Sequence, residues 1–190
     1  MVMTKTKVFW SEKTDSHENI IAEFALREIV RNAVTFVRVE IVPPDNHFDA
    51  PAAAWGWCVD QDILPKWWDE KDAERRCRVE LKRWIKVKVR TSGEHEARDS
   101  FLYLCDNAHA TLNDNAQATL NDNAHAKLYD NAQATLNGNA QATLNDNAQA
   151  TATRRSTVIK CSAGASVTLT GAFSVLVDRS GRIPFCKMGK

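Results

Sequence analysis

Apolar and polar residues alternate through the second half of the chain in a pattern that repeats every eight residues. Between Asp106 and Ala150 the repeat is nearly verbatim: Asp-Asn-Ala-Gln-Ala-Thr-Leu-Asn. Alternation predicts strands with one buried face, and the Asn-Asp pairs predict corners because these residues tolerate left-handed backbone. Eight helical residues at about 100° each overshoot two turns by about 80°, so no apolar stripe would persist in a helix. The repeat therefore predicts a β-solenoid.

Each coil of this solenoid is expected to contain two octets, about 16 residues, because one octet at about 3.3 Å per residue encloses too little space. The register extends over residues 100–178 and gives about five two-sided coils. The nine-residue step from Ala148 to Thr157 predicts a bulge at 153–155. The inward positions assigned outside the verbatim block are Ser100, Leu102, Leu104, Thr157, Ile159, Cys161, Ala165, Val167, Leu169, Phe173, Val175 and Val177.

Residues 1–99 predict a mixed α/β segment that caps the first coil, so the fold class of the chain is α+β. The capping-box spacing of Asp15 and Glu18 starts the first of its helices. The predicted elements are a strand at 7–10, a helix from 15 to about 30, a strand at 35–42, a loop-rich stretch at 45–65 and a helix at about 69–87.

Open solenoid ends expose unpaired strand edges, which must be covered or must pair with another copy. Residues 179–190 form a predicted tail or cap at the far end, with Ile183, Pro184 and Phe185 as its apolar part. We therefore expect a homodimer that associates end to end through the C-terminal coil.

Composition gives few functional hints. The 190 residues carry a net charge of +1, which provides no global attraction to nucleic acid or anionic membranes. The segment Met1–Lys5 lacks the apolar core of a secretion signal, and the five cysteines are odd in number and widely spaced. These features favour a cytoplasmic protein with reduced thiols and no membrane partner.

No enzyme signature is present: the sequence has no P-loop, dinucleotide fingerprint, Gly-x-Ser-x-Gly, His-Glu-x-x-His or Cys-x-x-Cys. We expect no catalytic residue, cofactor or metal. His109 and His125 should stack about 4.8 Å apart on one face, but without a carboxylate partner they make a weak metal site. Glu94-His95-Glu96 is interpreted as a surface turn. The corners lack the glycines of calcium-binding solenoids.

The second predicted helix combines tryptophans with basic residues, a mixture that can stack bases and hold phosphates. The candidate partner-binding residues are Arg75, Arg78 and Lys82 of this helix and the nearby Trp67 and Trp68. Charges at four-residue spacing are also the ordinary pattern of a solvated face, and we favour that interpretation. Its predicted buried side consists of Ala73, Cys77, Leu81, Trp84 and Ile85.

The outward positions of the solenoid are the second candidate surface. One face carries the candidate residues Phe101, Tyr103, Gln117, Thr119, Gln133, Thr135, Gln149 and Thr151, followed by Ser166 and Thr168. The other face carries His109, Thr111, His125, Lys127, Gln141, Thr143, Val158 and Lys160. The first face is uncharged and resembles the threonine ranks of ice-binding solenoids. Asp106 and Asp122 line one edge, and Asp114, Asp130 and Asp146 the other, faintly like acidic DNA mimics.

The Ala-x-Ala-Thr-Leu octets after a tryptophan-rich α/β segment resemble octapeptide-repeat proteins of phage and prophage genomes. The resemblance covers residues 100–177 well and, more loosely, Phe9-Trp10-Ser11-Glu12 and Ile63-Leu64-Pro65-Lys66-Trp67-Trp68. It implies an architecture and no catalytic residue. We therefore expect a non-enzymatic protein-binding module, an anti-CRISPR-like inhibitor of host defence that acts by steric occlusion. The alternatives are an ice- or repetitive-surface-binding solenoid and a nucleic-acid-binding or partly DNA-mimicking protein.

Overall fold

The chain forms two compact units, Met1–Val87 and Lys88–Lys190, in a computed structural model that describes residues 1–30, 33–181 and 184–189. The first unit contains β1 (Val2–Thr4), β2 (Val8–Phe9), α1 (His17–Glu23), β3 (Ile29–Val30), β4 (Ala33–Val34), β5 (Phe36–Val42), two short 3-10 helices (Pro44–Asn46 and Ala52–Ala54), β6 (Gly56–Val59) and α2 (Glu70–Lys88), which ends in the second unit. Neither helix is long and apolar enough to cross a membrane in the described part of the chain.

The first unit is built on an antiparallel sheet in the order β2-β1-β5-β6. The predicted strand at 35–42 is confirmed as β5, and its alternate residues Val37 and Val39 are fully buried. They pack in one cluster with Ala73 and Cys77 of α2. The predicted helix at 69–87 and its buried side are confirmed as well: Ala73, Cys77, Leu81 and Trp84 are buried and Ile85 is half-buried.

The first helix is shorter than predicted, because α1 ends at Glu23 and the prediction of helix to Val30 is wrong. Ala25 adopts a left-handed conformation with φ of 49°. The N–H of Leu26 then donates to the carbonyl of Ile21, the bond that closes a Schellman motif. Ile29 and Val30 belong instead to the two-stranded sheet of β3 and β4. The predicted loop at 45–65 also contains an unpredicted strand, β6, with Trp57 on it.

The second unit is a β-solenoid of about six turns of roughly 16 residues each, between residues 89 and 178. Its strands are β7 (Val89–Arg98), β8 (Phe101–Asn113), β9 (Gln117–Leu120), β10 (His125–Leu128), β11 (Gln133–Leu136), β12 (Gln141–Leu144), β13 (Gln149–Ala152), β14 (Thr157–Lys160), β15 (Ser166–Leu169), β16 (Val175–Asp178) and β17 (Phe185–Met188).

Parallel pairing in register confirms the predicted coil of two octets. Gln117 lies opposite Gln133, which lies opposite Gln149, so each glutamine is one full coil after the previous one. One side of the coil contains the first half of β8 with β9, β11, β13 and β15; the other contains the second half of β8 with β10, β12, β14 and β16. The inward alanine and leucine side chains from Ala108 to Ala152 form one core and are at most 6% exposed.

The solenoid begins before the predicted residue 100. Strand β7 pairs in parallel with β8, with a register shift between Arg90 and Ser92. The predicted surface turn Glu94-His95-Glu96 is therefore wrong, because all three residues lie on β7 and pair with His109, Ala110 and Thr111. The expectation that residues 1–99 cap the first coil stays a prediction.

The register after Ala152 also differs from the prediction. Thr157 and Ile159 were expected to point inward, but Ser156 and Val158 are the fully buried residues, and Cys161 is exposed. The eight-residue step thus continues through 153–155, where no extra residue is present. In the last coil, Ser174, Leu176 and Asp178 are buried in place of Phe173, Val175 and Val177, and Phe173 is 68% exposed. The predicted inward positions Ala165, Val167 and Leu169 are confirmed.

After β14, two wider turns shift the register of the last coils. The steps from Gln149 to Ser166 and from Thr157 to Val175 are longer than those between the verbatim octets, so extra residues lie in the turns that contain Gly164 and Gly171. A Cβ on Gly164 would overlap the side chain of Asn147, and one on Gly171 would overlap the carbonyl of Thr153. Glycine therefore allows the wider turns to stay close to the preceding coil.

The predicted C-terminal tail contains β17, which pairs antiparallel with β16. It covers the last strand on one side of the coil. On the other side β15 ends the order of strands in the sheet. Phe185 and Met188 of β17 are more than half exposed, and Ile183 lies outside the described residues.

Candidate binding surfaces of the solenoid

The predicted uncharged surface is present as the Gln/Thr face, which we define by Phe101, Tyr103, Gln117, Thr119, Gln133, Thr135, Gln149, Thr151, Ser166 and Thr168. Pairing of β8, β9, β11, β13 and β15 aligns these side chains in two columns, one from Phe101 to Ser166 and one from Tyr103 to Thr168. Gln117, Gln133, Thr135 and Gln149 are exposed, and Thr119 and Thr151 are half-buried. The columns stand on strands that are hydrogen-bonded to one another, which makes the face rigid.

The first strand of the Gln/Thr face carries aromatic residues in place of Gln and Thr. Phe101 and Tyr103 meet edge to face, with ring centroids 5.8 Å apart. The ammonium of Lys88 lies over the Phe101 ring, 4.5 Å from its centroid, although the residue is only 2% exposed. A cation over a ring holds the aromatic side chain in place. The face therefore has a rigid apolar end and a polar remainder.

The opposite surface is the histidine face, defined by Glu94, Glu96, His109, Thr111, His125, Lys127, Gln141, Thr143, Thr157, Ile159, Val175 and Val177. Val158 and Lys160 were predicted to be on it, but Val158 is buried in the core and the Lys160 ammonium lies 3.6 Å from the Asp178 carboxylate. Thr157 and Ile159 take their places, because the strand register does not shift before β14.

A shallow groove of about 170 Å³ crosses the histidine face. Its walls include Glu94, His109, His125, Lys127 and Ile159. The two imidazoles stack with centroids 4.9 Å apart and an interplanar angle of 14°, as predicted. Burial and the neighbouring His109 lower the pKa of His125 below its ordinary value.

A carboxylate does accompany these histidines, contrary to the prediction: Glu94 Oε1 lies 3.9 Å from His109 Nδ1. The sequence analysis did not predict this contact because it assigned Glu94 to a surface turn and not to a strand. The parallel pairing of β7 with β8 puts Glu94 directly opposite His109.

The corners form ladders of side-chain bonds between successive coils. Asp114, Asp122, Asp130 and Asp146 all have positive φ, as the left-handed preference of aspartate predicts. The backbone N–H of Asp114 donates to the Asp130 carboxylate at 3.1 Å, and that of Asp130 to the Asp146 carboxylate at 3.3 Å. On the other corner, the Asn137 amide donates to the Asn121 amide oxygen at 3.1 Å. The acidic edge thus holds the coils together, which weakens the case for DNA mimicry.

The candidate residues of α2 and of the stretch before it have different roles in the first unit. Trp67 and Trp68 are half-buried against the core, with ring centroids 6.2 Å apart. Arg78 bonds Glu74 and the carbonyls of Ala52 and Trp55, so it holds the loop against the helix. Arg78 therefore has a structural role, and its part in binding a partner stays a prediction. Arg75, paired with Asp72, and Lys82 are exposed.

Comparison with known protein families finds no matching model, and neither curated proteins nor solved structures give a significant match. The class that the structure defines is a two-sided β-solenoid preceded by an α/β unit.

Proposed function

We propose that this chain is a non-enzymatic protein-binding module that uses the Gln/Thr face. The observation that carries the proposal is the in-register, uncharged pair of columns next to the Phe101–Tyr103 pair. Binding of a partner to a rigid polar face costs little side-chain entropy. Aromatic residues are common anchors of protein interfaces.

The size of the face indicates how a partner must bind. Five strands about 4.8 Å apart, each about 13 Å long, give a surface of about 24 Å by 13 Å, about 300 Å². Stable complexes bury about 800 Å² on each partner. A partner must therefore also contact a corner. The corner that carries Asp114, Asp130 and Asp146 offers carboxylates, and those of Asp130 and Asp146 already accept bonds from the N–H groups of the preceding coil.

The phage-type resemblance supports a specific biological version of this proposal, an inhibitor that covers a host-defence protein. Inhibition by steric occlusion needs a rigid surface and no catalytic group, and the Gln/Thr face meets both requirements. The odd number and wide spacing of the five cysteines support a reducing compartment such as the cytoplasm.

Paired arginine substitutions test the proposal. Thr135→Arg puts a charge at the centre of the Gln/Thr face, and Thr143→Arg puts the same charge on the histidine face at the equivalent repeat position. Thr135→Arg should abolish co-purification of a host partner with the tagged chain, and Thr143→Arg should retain it. Equal retention in both variants, with both folded by circular dichroism, would contradict the assignment of the face.

A second function, binding to an ordered repetitive surface such as ice, is favoured by the threonine column Thr119, Thr135, Thr151 and Thr168. Threonines about 4.8 Å apart along the stack can order water regularly. Thermal hysteresis of the purified chain, lost in Thr135→Tyr and kept in Thr143→Tyr, would support this alternative. No hysteresis in the unmodified chain would exclude it.

A further inference from the structure

Three side chains far apart in sequence meet on the face of the first unit's sheet against which α1 packs. His17 is the first residue of α1, Glu40 lies on β5, and Asp60 follows β6. Glu40 is directly opposite Cys58, and the N–H of Asp60 bonds to the Arg38 carbonyl, so the strand ladder places Glu40 and Asp60 on one side of the sheet. One ligand atom from each of the three lies within 4.8 Å of the others.

The geometry of the histidine ring points to a ligand on this side. Nε2 lies 3.2 Å from the carbonyl oxygen of Val39, which can only accept, so this contact is a hydrogen bond in the tautomer that carries the ring proton on Nε2. The Met1 amine is farther from Nε2, at 3.5 Å, and itself donates to the Val39 carbonyl at 2.9 Å. In that neutral tautomer the lone pair of Nδ1 faces the Asp60 carboxylate. Histidines that bind metals usually donate their other N–H to a backbone carbonyl in this way.

The distance between Nδ1 and the carboxylate fits a shared cation. Nδ1 is 3.3 Å from Asp60 Oδ2. Two ligands about 2.05 Å from a zinc ion at a tetrahedral angle are about 3.3 Å apart. The nearby cation Arg38 is already paired with Glu28 at 2.9 Å and with Glu18 at 3.5 Å. His17 is largely buried and Asp60 is 57% exposed, so an ion would have one fixed ligand and an open path from solvent.

We propose that His17, Glu40 and Asp60 bind a divalent transition-metal ion, with Zn²⁺ as the preferred occupant. One imidazole and two carboxylates suit Zn²⁺ better than Mg²⁺ or Ca²⁺, which prefer oxygen ligands throughout. Three protein ligands leave a fourth position for water or an external group. The sequence contains no local signal of this site, because its ligands are widely separated along the chain and meet only after β5 pairs with β6.

Zinc titration of the full chain by calorimetry tests the proposal. The exposed cysteines Cys58, Cys161 and Cys186 are replaced by serine first, so that thiols on the surface do not bind the metal. This background should bind one Zn²⁺ ion, and Asp60→Asn, which changes an exposed group with little effect on folding, should weaken binding by about 10-fold or more. Glu40→Gln should weaken it as well.

His17→Gln completes the ligand test, and His47→Gln is the matched control because His47 faces Asp49 at 3.9 Å on the surface. His17→Gln should abolish binding, and His47→Gln should leave it unchanged. Co²⁺ gives a second readout, since visible absorption bands of a four-coordinate ion should appear in the background chain and vanish in Asp60→Asn. Absence of zinc binding, or unchanged binding in both Asp60→Asn and His17→Gln, would overturn the proposal.

Discussion

Leu128→Ala tests whether the solenoid is stabilised as a stack of coils that each depend on their neighbours. Leu128 is fully buried and lies in register between Leu112 and Leu144, which are equally buried. The substitution removes three carbon atoms from a closely packed core. Because hydrogen-bonded strands lie on both sides of β10, the space can collapse only in part.

The expected cost follows from the size of the lost group. Three methylene-sized groups at about 0.8 kcal/mol each give about 2.4 kcal/mol, and the residual cavity raises the cost to about 3–4 kcal/mol. In a repeat protein the loss acts mainly on adjacent units. Amide protection should therefore fall first in β10 and in its neighbours β8 and β12.

Urea unfolding followed by circular dichroism measures the free energy, and hydrogen exchange with mass spectrometry locates the loss. Lys127→Ala is the control, since it shortens an exposed side chain on the same strand and should cost under about 0.5 kcal/mol. A loss in Leu128→Ala below about 1 kcal/mol, or a loss of protection spread evenly over the unit, would refute the reasoning.

Three further predictions follow from individual contacts. Gly171→Ala should destabilise the second unit by about 2 kcal/mol in urea unfolding, because the new Cβ overlaps the backbone of the preceding turn at Thr153. Gly56→Ala is the control and should be neutral, because its Cβ contacts only one carbonyl oxygen, at 3.8 Å. Arg78→Ala should cost about 1–3 kcal/mol because it leaves the helix-to-loop carbonyls without a donor, whereas Arg75→Ala should cost under about 0.5 kcal/mol. His125, whose pKa is lowered in the folded chain, favours the neutral form; stability should therefore fall as pH drops below 6.5, and His125→Gln should reduce that dependence in melting curves.

Each of these has an outcome that contradicts it. Equal stability of Gly171→Ala and Gly56→Ala would mean that the turn shifts freely. Equal losses in Arg78→Ala and Arg75→Ala would mean that the helix-to-loop bonds contribute nothing. His47→Gln is the control for the third, because His47 is exposed, and a pH profile unchanged by His125→Gln would contradict the effect assigned to burial.

End-to-end dimerisation also stays a prediction. Phe173, Phe185 and Met188 are exposed at the C-terminal end, and β15 ends the sheet order there. Light scattering at high concentration should show a dimer, and Phe185→Asp should make it monomeric. A monomer in the unmodified chain would disprove the expectation.

The repeat determined more of this protein than any other feature of the sequence. Its octets are nearly identical, so each one has the same backbone preferences. The alternation of apolar and polar residues favours a strand, and the aspartate favours a left-handed corner. The coil length, the inward alanine and leucine, and the stacked imidazoles of His109 and His125 could all be predicted for that reason. The prediction failed where the octets degenerate. After Ala152 the alternation of Thr157, Val158 and Ile159 fits either register, and a slip by one residue turns every side chain to the opposite face.

Long-range contacts decided the rest. Glu94 lies next to His109 because β7 forms an additional coil whose sequence lacks the octet repeat. Arg78 holds α2 to a loop because the carbonyls of Ala52 and Trp55, distant in sequence, accept hydrogen bonds from it. His17, Glu40 and Asp60 meet only through the pairing of β5 with β6. Local sequence sets backbone preferences over a few residues, and because the repeat states these preferences many times, the sequence by itself determined the solenoid. A binding site depends on side chains from distant parts of the chain. Only the tertiary structure therefore decided which side chains form one site together.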